Sequence, residues 1–170
     1  MVIHFPLYSF LSLSTGLLCL GLGFFIFAKN KSSQPNRLYF AFCVAVFVWL
    51  FFASALSSKY FPIKWGLFLA RLIYTGVVFL PTFALHFCVV FLKNNTPRDI
   101  HIHIKIAYFF TFVFLFLVWT SNEFIVGTYE YWWGYYPRGG ILHRIYIIFV
   151  EELLYFFFIR GTYRNRKLRF

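Results

Sequence analysis

Acidic side chains are nearly absent from this chain, with 5 aspartates and glutamates among 170 residues. Charged residues of both signs make up 12% of it, against 61% hydrophobic residues. A soluble domain carries about 25% charged residues, and so few charges cannot cover this much apolar surface in water. Cysteine is scarce as well. Cys19, Cys43 and Cys88 fall inside apolar stretches with no Cys-x-x-Cys spacing, which excludes a disulfide scaffold and reads them as small core residues. The first residues, Met1-Val2-Ile3-His4, lack the basic stretch of a secretory signal, and those ahead of Cys19 do not match a lipoprotein cleavage site. The first apolar run is therefore read as a retained helix. Long polar segments are missing too. The connection from Ser121 to Gly140 is too short for a soluble catalytic domain or a nucleotide loop, and Gly21-Leu22-Gly23 lies inside an apolar run rather than in a phosphate cradle.

What the chain does have is long apolar runs, at 5–28, 38–58, 65–92, 106–122 and 141–160. A hydrocarbon core of about 30 Å needs roughly 20 apolar residues of helix, and these runs are of that size. No ten-residue alternation of a membrane barrel appears, and open sheet edges do not survive in lipid. The expected fold is all-α, an integral membrane helical bundle of five transmembrane helices forming one domain over 1–170. Ser12, Gly16, Cys19 and Gly23 share one face of the first helix at about 100° per residue, a seam where a neighbouring helix packs closely.

The net charge of +11 follows topology. Lys29, Lys31, Arg37, Lys93, Arg98, Lys105, Arg160, Arg164, Arg166, Lys167 and Arg169 fall on one side of a five-crossing chain. Only Lys59, Lys64 and Arg138 fall on the other. The positive-inside bias then puts the N-terminus outside and the C-terminus in the cytoplasm, across the inner (plasma) membrane. The outer connection holds Tyr129, Tyr131, Trp132, Trp133, Tyr135 and Tyr136, which reads either as an aromatic belt at headgroup level or as a lid facing a ligand.

Ionisable groups inside the spans are costly, about 2.5–3.5 kcal/mol each on insertion scales, and call for a partner, a cavity or a route to the headgroups. Arg71 lies about 9 Å down the third helix, with Tyr74, Thr75, Thr82 and His86 close to its stripe. Pro81 removes a backbone hydrogen bond and opens that helix. Arg144, Glu151 and Tyr155 share a stripe of the fifth helix, with Glu152 beside it and Glu151 about 15 Å deep. The candidate cavity is therefore lined by Arg71, Tyr74, Thr82, His86, Arg144, Glu151 and Glu152, and Glu151 is expected to pair with Arg71 or Arg144. A purely structural reading has these charges fixing helix packing. His101 and His103 with Asp99 make a weak zinc pattern that also fits an amphipathic interfacial stretch, so neither a metal nor any other cofactor is expected.

The string Trp65-Gly-Leu-Phe-Leu-Ala-Arg71-Leu-Ile-Tyr74-Thr-Gly76-Val-Val-Phe79-Leu80-Pro81, after Asn36-Arg37-Leu38 and Trp49, resembles the N-terminal seven-helix membrane region of bacterial sensor histidine kinases and related diguanylate cyclases. The aromatic stretch Trp132 to Pro137, Gly139-Gly140 and the exit from Arg160 to Arg166 are similar too. The resemblance covers the chain from about Phe5 to its last residue, and it carries over Arg71, Tyr74, Gly76 and Pro81, with Gly76 and Pro81 as structural motif residues. It implies seven helices and an output domain. Five helices are read here, so the expectation is a sensory input module, truncated after five helices and lacking its own output domain. Its partners would be the lipid bilayer, a cytoplasmic signalling partner and a second copy of the chain, without nucleic acid and without enzymatic activity. The alternatives are a small transporter or permease component using Glu151 as a proton or cation site, and a membrane protein with no signalling role. An intramembrane metalloenzyme using His101 and His103 is the weakest reading.

Overall fold

The structure, a computed structural model, describes residues 7–91 and 100–167, with side chains described over 7–91 and 101–155. Helix α1 runs over Leu7–Lys29 and α2 over Gln34–Ser57, and a 3-10 turn at Ile63–Trp65 leads into α3 (Gly66–Val77) and α4 (Leu80–Phe91). Helix α5 covers Ile100–Thr120, strands β1 (Ile125–Tyr131) and β2 (Gly134–Gly139) form a hairpin, and α6 covers Ile141–Lys167. Among the described residues four helical segments are long and apolar enough to cross a membrane: α1, α2, Ile63–Phe91 and His101–Thr120. The chain is a mostly helical, multi-pass membrane protein whose spans contact lipid.

Small residues bring α1 onto α2. Ser12, Gly16 and Gly23 of the expected seam are buried, Cys19 of that seam is only partly buried, and Ser9, not expected there, is buried with them. A Cβ on Gly16 would meet Leu50 Cβ at 3.2 Å, and one on Gly23 would meet Cys43 Cβ at 2.6 Å. Polar groups close both ends of the pair. Ser9 Oγ lies 2.7 Å from Ser57 Oγ, and Ser54 Oγ donates to the Ser9 carbonyl at 2.7 Å. At the other end the Asn36 amide donates to the carbonyls of Ile26 (3.0 Å) and Asn30 (3.2 Å), satisfying groups that the last turn of α1 leaves open.

The third span, read as one run over 65–92 that Pro81 opens, is two helices. It breaks at Val78–Phe79, directly ahead of Leu80 and Pro81. Proline at position 81 has no N–H for the carbonyl of Val77 four residues earlier. That carbonyl instead accepts a hydrogen bond from Tyr146 Oη of α6 at 3.0 Å. The defect in one helix thus becomes a specific tie to another. Gly76 lies just ahead of the break and is buried against the backbone of α2, where its absent Cβ would sit 2.6 Å from the Ala45 carbonyl oxygen and 2.7 Å from Trp49 N. Beyond the break, Thr82 and Thr111 are fully buried with their hydroxyls 2.7 Å apart, joining α4 to α5.

The all-α expectation fails over residues 125–139, where the aromatic connection folds as an antiparallel hairpin. Its register runs from Ile125 opposite Gly139 to Tyr131 opposite Gly134, with an irregularity between Ile125 and Gly127. Phe124 and Ile125 are completely buried and pin the hairpin into a core with Ala70, Tyr74, Val78, Phe114, Val118 and Tyr146. Gly134, at φ +148°, presses on the backbone of Ser57, and Gly140 lies against the Glu123 carbonyl. Lys59, in a left-handed conformation (φ 57°), ends the α2 segment and reaches Glu130 of β1 at 3.0 Å. Helix α5 also starts earlier than the expected 106, so His101 and His103 lie in its first turn rather than in a loop.

Candidate functional site

A cavity of about 240 Å³ lies at the hairpin end of the bundle. Helix α2 supplies Trp49, Ala53 and Leu56, and α3 supplies Ile73, Tyr74 and Val77. The hairpin roofs it with Tyr135, Tyr136 and Pro137, and Tyr8 of α1 and His143 of α6 complete the wall. The close approach at Gly76 brings α3 against the backbone of α2 at Ala45 and Trp49, so that Trp49 of α2 and Tyr74 of α3 line one cavity. Tyr74 Oη and His143 Nε2 are hydrogen-bonded at 3.0 Å, and the two rings meet edge to face. No side chain of formal charge belongs to the lining.

The aromatic residues of the connection divide between two surroundings. Tyr135 and Tyr136 line the cavity, whereas Trp132 at the tip is 93% exposed. Trp133 stacks on Tyr131 at 5.1 Å and tilts against Tyr8 at 4.9 Å, so the hairpin also leans on α1. Tyr135 carries a cation above its ring, with Lys59 Nζ 5.3 Å from the centroid, while the same nitrogen is paired with Glu130.

Of the residues proposed from spacing to share one cavity, the structure puts Tyr74 in this one. Arg71 is one helical turn towards the hairpin end and partly buried, and its guanidinium donates to Asn122 Oδ1 at 3.0 Å. Its neighbour Thr75 donates to the Arg71 carbonyl and accepts from the indole of Trp119 at 3.1 Å. Arg71 is not paired with Glu151. Arg144, Glu151 and Glu152 are exposed on α6, and the ion pair found among the described residues is Lys59–Glu130. Thr82 is committed to Thr111, and His86 Nδ1 lies 3.0 Å from Tyr108 Oη, so these two residues tie α4 to α5 away from the cavity. His101 and His103 are two residues apart on a helix and so point to different sides. The described residues hold no cluster of three metal-binding side chains, and Asp99 lies outside them. The side chains of Arg160, Arg164, Arg166 and Lys167 and the whole of Lys93, Arg98 and Arg169 lie outside the described set as well.

Sequence spacing did not single out Tyr8, Ala53, Ile73 or Pro137 for the site. Each comes from a different part of the chain, and nothing in helical periodicity says which turn of one helix faces which turn of another. His143 carried a usable signal: it lies three residues after the Gly139-Gly140 pair that precedes α6, on the hairpin side.

Fold and site together define a multi-pass helical membrane protein with an uncharged, aromatic-walled cavity under a β-hairpin. The chain belongs to the family described as the N-terminal 7TM region of histidine kinase, whose model matches residues 11–168. No curated protein and no solved structure matches it.

Proposed function

We propose that this chain is the sensory input module of a histidine-kinase signalling system. In this reading it spans the inner membrane five times, with the N-terminus outside, the C-terminus in the cytoplasm and no reaction of its own. Family membership carries the proposal. The distribution of basic residues supports the orientation, which places the hairpin and cavity at the outer surface. Helix α6 is the fifth crossing. Its 27 residues extend about 40 Å, enough to run from the cavity at His143 to the cytoplasmic side.

The cavity is built where input and output meet. Tyr74 of α3 bonds His143 of α6, and about one turn further on Tyr146 of α6 bonds the carbonyl that Pro81 leaves open on α3. An occupant that favours one separation of α3 and α6 over another biases the position of α6, and through it any partner beneath the membrane. The cytoplasmic partner is a transmitter kinase, and a second copy of the chain is a further partner in such an assembly.

The test is to join a histidine-kinase transmitter in helical register after Phe170 and measure autophosphorylation in proteoliposomes. His143→Ala should shift basal output about fivefold, the population change produced by losing one hydrogen bond worth about 1 kcal/mol. Trp132→Ala, at the exposed tip, should leave it unaltered. Equal output from the unaltered chain and His143→Ala, at equal membrane levels, would refute the reading.

A further inference from the structure

The walls of the cavity constrain what fits. Trp49, Tyr8, Tyr74, Tyr135 and Tyr136 present aromatic rings to it, and its volume is about 240 Å³. An apolar cavity of about 150 Å³ accepts benzene, and drug-sized pockets begin near 300 Å³. The space between those limits suits one bicyclic or substituted monocyclic ring. A formal charge is disfavoured, because none of the lining side chains is charged and desolvating an unpaired ion costs several kcal/mol. Lys59, whose Nζ lies 5.3 Å from the Tyr135 ring, is already paired with Glu130, and Arg138 of β2 lies over the Tyr129 ring.

The polar end is equally specific. A tyrosine hydroxyl offers one donor and two acceptor sites, and the bond to His143 occupies one of them. At least one lone pair on Tyr74 Oη therefore remains for an incoming N–H or O–H. Rings at the rim prefer edge-to-face or offset contacts with another ring, each worth about 0.5–1.5 kcal/mol beyond its area. This favours an aromatic occupant over an aliphatic one of equal volume.

We propose that the cavity beneath the hairpin binds a small uncharged aromatic amphiphile of indole or phenol size, its ring among Trp49, Tyr135 and Tyr136 and its N–H or O–H on Tyr74. This ligand class deepens the sensory reading and rests on it. Such molecules partition to the membrane interface, the level at which the hairpin lies in the proposed orientation, so the site is reached from the outer leaflet without crossing the bundle.

Fluorine NMR of a fluoroindole added to the full chain in phosphatidylcholine nanodiscs tests it. A saturable signal is expected above that of empty nanodiscs, displaced by indole but not by indoleacetate, which carries a carboxylate. Ala53→Phe, which fills the cavity from α2, should remove the saturable part, and Val77→Phe does the same from α3 should the first variant fail to fold. Tyr74→Phe, one oxygen smaller, should weaken binding about fivefold. A signal equal to that of empty nanodiscs, competition by indoleacetate as strong as by indole, or undiminished binding in the filled variants each overturns the proposal. The two readings fail separately. Binding without any change in transmitter output sinks the sensory role, whereas output that responds to His143→Ala without fluoroindole binding sinks the ligand class alone.

Discussion

Gly76→Ala is the sharpest perturbation of this fold. The added methyl would lie 2.6 Å from the Ala45 carbonyl oxygen, 2.7 Å from Trp49 N and 3.2 Å from Trp49 Cα. All three are backbone atoms of α2, so no side chain can swing aside. The two helices must part instead. A gap of about 0.5–1 Å forfeits a quarter to a half of the dispersion attraction between the atoms it separates, and overpacking of this kind costs about 1–3 kcal/mol. A loss of about 2 kcal/mol lowers the folded-to-unfolded ratio roughly 30-fold. Two other glycines calibrate the result. Gly23→Ala meets Cys43 Cβ at 2.6 Å, which no rotamer change moves, and its sulfur at 3.0 Å, which can rotate; one fixed atom rather than three makes its cost smaller. Gly21→Ala meets nothing within 4 Å and should change stability by less than about 0.5 kcal/mol. Reversible unfolding by SDS in bicelles, followed by circular dichroism, should rank them Gly76, Gly23, Gly21 from most to least destabilised. Should Gly76→Ala unfold at the same SDS fraction as Gly21→Ala, the backbone contact between α2 and α3 is not what holds the cavity wall.

Two further outcomes follow from buried contacts. Thr82→Val leaves the Thr111 hydroxyl, 2.7 Å away and 1% exposed, without its partner; interhelical bonds of this kind are worth about 0.6–1.7 kcal/mol. The double variant Thr82→Val/Thr111→Val should recover part of that loss in the same SDS assay, and strictly additive losses would refute the coupling. Gly134→Ala should free the hairpin from α2, because its backbone is at φ +148° and pressed on Ser57. Trypsin cleavage after Arg138 in β2 should accelerate while the helical signal is retained, and an unchanged cleavage rate would count against the hairpin as a clamped roof.

The helices of this protein are legible from composition because lipid imposes a rule that reading a soluble chain lacks: each crossing must be long, apolar and hydrogen-bonded within itself. The small-residue seam of α1 and the break ahead of Pro81 were legible for the same local reason, since each depends on a few neighbouring residues. The hairpin was not. Its two-residue turn is Trp132-Trp133 rather than an Asn-Gly or Asp-Gly pair, so the strongest short-range hairpin signal is missing. The aromatic content of the segment fits a headgroup belt equally well.

The charged residues of the spans show where periodicity stops being informative. A 3.6-residue repeat correctly put Arg71 on one stripe with Thr75, and it put Arg144 with Glu151. It could not say that Asn122, just past the end of α5, would reach Arg71 first, or that Glu151 would lie exposed on α6. Stripes are a property of one helix, and partners are a property of two.

What the sequence determined by itself is a membrane-embedded helical chain, its basic asymmetry and its resemblance to the histidine-kinase membrane region, because hydropathy, charge and short motifs are written along the chain. Only the tertiary structure decided the cavity. It exists because Gly76 lets α3 touch the backbone of α2, Tyr146 takes the carbonyl freed by Pro81, and Gly134 lets a hairpin lie across Ser57. Each of those contacts joins residues far apart in sequence, and their geometry is set by close packing rather than by local preference.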